Sequence, residues 1–145
     1  MTEKPLYPVH FSIHDFSVDK FVMPSGVYSS HNKEIQAIKE FTFGLIKSQR
    51  IFVVIININL MRNSTKCLTI QTSTKFKFEK PDFYTYFNEA TSQYIFPKDF
   101  VFHLATVALG TTRGYLFSKT DGLTFKNYLL PVSNLNEFIK SDVVL

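Results

Sequence analysis

Cysteine occurs once in the 145 residues, at Cys67, so the sequence has no pair for an intrachain disulfide and no multi-cysteine metal site. A lone thiol fits a reducing compartment. Glycine is scarce, with five residues and no phosphate-cradling loop. Long apolar runs are missing too: the longest, Ile51 to Ile56, falls well short of the roughly 20 residues that span a bilayer as a helix. The first residues, MTEKPLYP, lack the charged-then-apolar pattern of a signal peptide. The expectation is a cytoplasmic protein with no membrane partner. None of His10, His14, His31 and His103 has a second donor at metal-ligand spacing, since the four-residue interval from His10 to His14 falls in a strand pattern. Cys67 has only Lys66 beside it, and the acid pairs Asp15 with Asp19 and Asp82 with Glu89 carry no pocket signal. The reading is therefore of a protein that is no enzyme, with no catalytic residues, no metal and no cofactor.

An excess of one charge in one region is also lacking. The net charge is +4, yet lysines and arginines number six against five acids in residues 1 to 50, six against four in 51 to 100, and four against three beyond. No basic stripe of the kind that tracks a phosphate backbone emerges. The sequence is rich instead in aromatics, with 16 Phe and 7 Tyr but no Trp. Such side chains dominate both cores and contact surfaces, which directs attention to recognition by apolar contact.

No repeat or linker divides the chain, so residues 1–145 read as a single domain, of a size that buries roughly 70% of its unfolded surface. Strand patterns come first and helical patterns later, the order of an α+β fold. A first strand runs from Val9 to Phe21, with Phe11 and Ile13 on one face and Phe16 and Val18 on the other. The phase shift near His14 and Asp15 predicts a bulge or bend. Met23 to Asn32 reads as a loop, and HNKEIQAIKE as loop or strand lead-in. EFTFGLI aligns Phe41, Phe43 and Leu45 before a KSQR turn. In Ile51 to Arg62 every even position from Phe52 to Leu60 is apolar and half the odd ones are, the mark of a central strand covered on both sides for half its length. Cys67 to Glu79 reads as a half-exposed strand facing inward with Leu68, Ile70, Phe76 and Phe78. Phe83 to Tyr94 is an aromatic connection with room for a short helix. Pro97 opens the main helix, whose expected stripe is Phe100, Leu104, Val107, Ala108 and Thr111 and whose expected stop is Gly114. Asp121-Gly122 reads as a turn between strands Tyr115–Lys119 and Leu123–Leu130, and Asn134 as the cap of a last helix, Leu135 to Lys140.

These pieces resemble the SecB family of protein-export chaperones and its SecB-like relatives. IHDFSVDKF is similar to the family's opening strand, and RIFVVIININL with KCLTIQTSTKFKF to its second hairpin. YIFP at Tyr94 to Pro97 is similar to its helix start, and TRG followed by LLPVSNLNEF to its carboxy-terminal signature. The resemblance covers most of residues 8 to 139. It implies a four-stranded antiparallel sheet with helices packed on one side, protomers paired into a dimer of dimers, and non-native polypeptide held without ATP in apolar grooves. It departs from the export-type members where Lys75, Lys77 and Lys80 occupy a strand whose counterpart is acidic and engages the SecA motor. That departure argues against a SecA partner, and a Tyr115 to Phe125 segment longer than in export chaperones favours a divergent SecB-like protein, serving protein export or acting as a dedicated client or toxin–antitoxin chaperone.

The candidate polypeptide-binding residues are Phe41, Phe43, Ile51, Val53 and Ile55 on the sheet, with Phe83, Tyr84, Tyr86 and Phe87 in the connection. About two thirds of them are expected to fill the core or a subunit interface instead, given how such residues are usually buried. The competing reading is a single-stranded nucleic-acid-binding or general interaction module, drawn from KFKFEK at Lys75 to Lys80. Strict alternation weighs against it, because it puts the lysines on one face and the phenylalanines on the other. Lysines blunting an edge strand account for the same pattern.

Overall fold

The computed structural model describes residues 10–23, 35–62, 64–120 and 134–145. Its main sheet has four antiparallel strands, β1 (Phe11–Val22), β2 (Ile35–Ile46), β3 (Ile51–Arg62) and β4 (Thr65–Phe78), in the order β1-β4-β3-β2. Alternation sets the two faces. The even residues Phe52, Val54, Ile56, Ile58 and Leu60 of β3 are fully buried beside Leu68, Ile70, Phe76 and Phe78 of β4. The weak HNKEIQAIKE segment resolves as strand from Ile35 onward. The KSQR turn is a 3₁₀ turn, Lys47–Gln49, closed by Arg50 in the left-handed region at φ 56°.

The phase shift in β1 is a bulge, as its pattern predicts. Pairing with β4 skips a residue between Ile13 and Asp15 and again between Val18 and Lys20. Each skip reverses the parity of the strand. Phe11, Phe16, Val18 and Phe21 thus all pair with residues of the buried face of β4, although their spacing alone would scatter them over both faces.

Two strand expectations need correction. β4 lies inside the sheet between β1 and β3, so Lys75 and Lys77 protect no edge; they are on its solvent side because the period of two puts them opposite Phe76 and Phe78. On that same side of β3, cover is complete at Ile51 but only partial at Val53 and Ile55.

The main helix, α2 (Lys98–Lys119), lies against the buried face of the sheet. Its packed stripe is Val101, Leu104, Ala105, Ala108, Leu109, Thr112 and Leu116, rotated from the expected one so that Phe100, Val107 and Thr111 flank it half-buried. Gly114 does not end the helix. Tyr115–Lys119, expected as a strand, forms its last turns, because a glycine inside a helix costs only about 1 kcal/mol whereas burying Leu116 returns about 2 kcal/mol. Pro97 sits at the N-cap with no side-chain bond of its own, and Asp142, 44 residues after Lys98, supplies one by accepting the Lys98 backbone N–H at 2.8 Å.

The aromatic connection holds a five-residue helix, α1 (Lys80–Tyr84), and strand β5 (Phe87–Asn88). With β6 (Gln93–Phe96) and β7 (Val143–Val144), β5 makes a small second sheet ordered β5-β6-β7. Leu145 and Tyr94 exchange backbone hydrogen bonds of 2.9 Å, extending the pairing of β7 with β6 by one residue. Asn134 does cap the last helical element, accepting the Asn136 N–H at 3.1 Å, but that element is a single 3₁₀ turn, Leu135–Glu137, not a helix to Lys140. Of the expected loop from Met23 to Asn32, all but Met23 lies outside the described residues, as does strand Leu123–Leu130 with its Asp121-Gly122 turn.

Candidate functional site

The sheet candidates do not converge on one groove. Phe41 and Phe43 pair across to Ile56 and Val54 and therefore face the helix side, where their rings meet Phe138 at 4.9 Å and Phe52 at 5.9 Å. Ile51, Val53 and Ile55 point to the opposite face. The reason is parity: hairpin register aligned odd residues of β2 with even residues of β3, which no single-strand pattern reveals.

The connection candidates separate by depth. Phe83 is fully buried, stacked on Tyr94 with centroids 4.4 Å apart, and belongs to the core. Tyr86 is half-buried between Phe96 and Phe100, at 4.9 and 5.4 Å. Burial, reinforced by the Asp82 carboxylate, pushes its hydroxyl from the ordinary 10.0 up to about 12, so the ring stays neutral at all ordinary pH values. Tyr84 and Phe87 remain 52% and 37% exposed. Phe87 borders a cleft of about 580 Å³ whose walls also include Tyr86, Ile95 and Pro97, with Glu89 and Asp142 at its polar margin; Tyr84 is not part of its lining. Ile95 was missed as a lining residue. The alternation in β6 held the signal, since Tyr94 and Phe96 turn inward and leave Ile95 facing the cleft.

A second feature is the outer edge of β2. Among the described residues no strand pairs with it, and it pairs with β3 over all twelve residues without a bulge or a proline. The opposite edge strand, β1, is broken twice. A long regular edge presents backbone donors and acceptors to any extended chain, while bulges discourage such pairing.

Among the described residues no three potential metal ligands cluster. The nucleic-acid alternative loses its stacking platform, because Phe76 and Phe78 are 0% and 1% exposed and have no face to offer a base. No helix among the described residues is long and apolar enough to cross a membrane.

No protein-family model matches the chain, and no curated protein does. A solved structure does match. The SecB-like chaperone Rv1957 of Mycobacterium tuberculosis, in complex with a ChAD peptide from the Rv1956 HigA1 antitoxin, superposes with a TM-score of 0.55 at 14% identity, over 85% of this chain and 90% of that one. The fold is SecB-like. At that identity the match speaks for the architecture: a SecB-like four-stranded antiparallel sheet with the long helix across one face, reached by a sequence that shares few residues with its neighbour.

Proposed function

We propose that this SecB-like protein is an ATP-independent polypeptide-binding chaperone, holding extended, non-native or dedicated client segments. The observation that carries the reading is the aromatic cleft, where Tyr86 and the 37%-exposed Phe87 lie at the surface beside Ile95. Apolar side chains of a client fill such a cleft, and the edge of β2, which no strand among the described residues pairs with, offers its backbone an antiparallel partner. A peptide-bound neighbour of the same fold supports the assignment, and its antitoxin-derived peptide favours a dedicated client over general export. Lys75 and Lys77 on the outer sheet face argue against a partner that needs an acidic surface there, SecA included.

The working unit is proposed to be a homo-oligomer, a dimer of dimers, in which partner protomers cover the half-buried Val53 and Ile55 and the outward side of α2 with its 43%-exposed Phe117. For the chaperone reading, the protein is expected to suppress aggregation of a thermally unfolding client without ATP. Replacing Phe87 by alanine should weaken that protection about threefold or more, as expected for losing an apolar anchor on the cleft, while lowering the melting temperature only slightly through the lost contact with Tyr94. Protection that is absent in the wild type, or equal in the variant, would count against it.

A further inference from the structure

A second cleft, of about 440 Å³, opens at the end of the main sheet where β1 begins, β4 ends and the turn leads into β3. Phe11 forms its apolar part, Arg50, Lys77, Ser12 and His10 its polar wall, and Glu79 is the one acid among the described residues of the lining. The arginine is built in. Its left-handed backbone closes the turn, its carbonyl accepts the Phe78 N–H at 3.0 Å, and its Nε donates to the Phe78 carbonyl at 3.2 Å. Both halves of the residue are thus clamped to the end of β4, which fixes the guanidinium while leaving its terminal nitrogens for another acceptor. Among the described residues neither Arg50 nor Lys77 has an acid within ion-pair distance. The contrast with Lys75 is informative: Lys75 lies across from Asp15, whereas Lys77 lies between Ser12 and Ile51, neither of which carries charge. His10 is held at the rim by Asp82, which accepts from its backbone N–H and meets its Nδ1, both at 3.2 Å.

We infer that this cleft is an oxyanion site that takes an aspartate or glutamate carboxylate of the bound polypeptide, so that the protein selects segments carrying an acidic residue close to an apolar anchor. The inference rests on the polypeptide-binding reading and deepens it. A preoriented guanidinium beside a primary ammonium matches a carboxylate by charge and by fork geometry. The two clefts adjoin through α1: Glu79 of the basic cleft immediately precedes it, and Thr85 of the aromatic cleft immediately follows it. The six residue steps from Glu79 to Thr85 rise about 9 Å, which about three residues of extended chain cover. One segment therefore reaches both clefts with its acidic and aromatic residues a few positions apart.

The test uses the full-length protein and two fluorescent peptides, capped at both ends so that only side chains carry charge. One alternates leucine and phenylalanine with glutamate, and the other has glutamine at every glutamate. The acidic peptide is expected to bind at least about fivefold more tightly than the neutral one, an advantage that shrinks as salt is raised from about 50 to about 500 mM. Lys77→Gln and Arg50→Gln should each remove most of that advantage without changing affinity for the neutral peptide, and Arg50→Lys should restore part of it. Lys77 projects from the solvent side of β4, so its variant tests the idea even where Arg50→Gln disturbs the turn. Equal affinity for the two peptides, or an advantage that survives Lys77→Gln, overturns the inference and leaves the chaperone reading standing. Failure of both peptides to bind removes both. Inorganic phosphate that binds more tightly than the acidic peptide, and displaces it only through Arg50 and Lys77, assigns the cleft to a free anion and overturns the polypeptide ligand.

Discussion

Three threonines on the buried face of the molecule show how one hydroxyl differs from another. Thr112 donates to the Ala108 carbonyl at 2.9 Å, so its oxygen is left to accept, and Thr72 of β4 must donate the 2.8 Å bond that joins sheet to helix. Thr74, two residues on, is fully buried and its hydroxyl has no partner among the described residues. Valine has the same shape without the polar atom, so the three replacements separate in denaturant. Thr112→Val strands the Thr72 hydroxyl and should cost about 1–3 kcal/mol; Thr72→Val, which leaves Thr112 bonded to its helix, should cost less. Thr74→Val removes an unsatisfied group and should stabilise the fold by about 1 kcal/mol. Tyr86 makes the other residue-scale prediction. Its hydroxyl is raised from 10.0 to about 12 in the folded chain, so unfolding releases its proton more easily once the pH exceeds the unfolded value. The stabilising contribution is complete below pH 10 and disappears as the pH rises toward 12. Denaturation curves across that range should be steeper in pH for the wild type than for Tyr86→Phe.

At the scale of elements, the long helix starts where a distant acid allows it to. Asp142→Ala should cost about 1 kcal/mol, the usual worth of a side-chain cap, and thermal melting will register it. This cap was invisible in the sequence, since proline at the helix start gave the position and nothing marked Asp142 as its partner. The strands were far more legible, because the apolar positions of β3 and β4 keep their period over long runs and the broken period of β1 announced its bulge. Periodicity failed where two signals competed. Gly114 followed by an apolar stretch read as a stop and a strand, and burial of Leu116 against the sheet carried the helix onward. The candidate site was legible only in part: the aromatic connection stood out by composition, but which of its rings sank and which stayed up depended on β5, β6 and β7, strands too short to leave a pattern.

At the scale of the whole molecule, the outward side of α2 bears on assembly. A Cβ placed at Gly110 or Gly114 meets no atom of the described residues within 4 Å, so none of them requires glycine at either position. In a helix interior each costs about 1 kcal/mol relative to alanine. Close approach of another protomer in the proposed oligomer would give them a use, and on that proposal Gly110→Leu should leave the fold intact while shifting sedimentation toward smaller species. A wild-type chain that sediments as a monomer at micromolar concentration would refute the proposed oligomer.

The unequal edges of the main sheet have a further consequence. Proteins that invite strands risk templating fibres, because each added strand exposes a fresh edge and stacking continues in both directions. Here the twice-kinked β1 makes propagation one-sided: a guest laid along β2 cannot bring its host's far side into register with another sheet. Any growth must then depend on the guest's own outer edge, so the proposed binding mode predicts that the protein caps one end of a growing stack of guest strands.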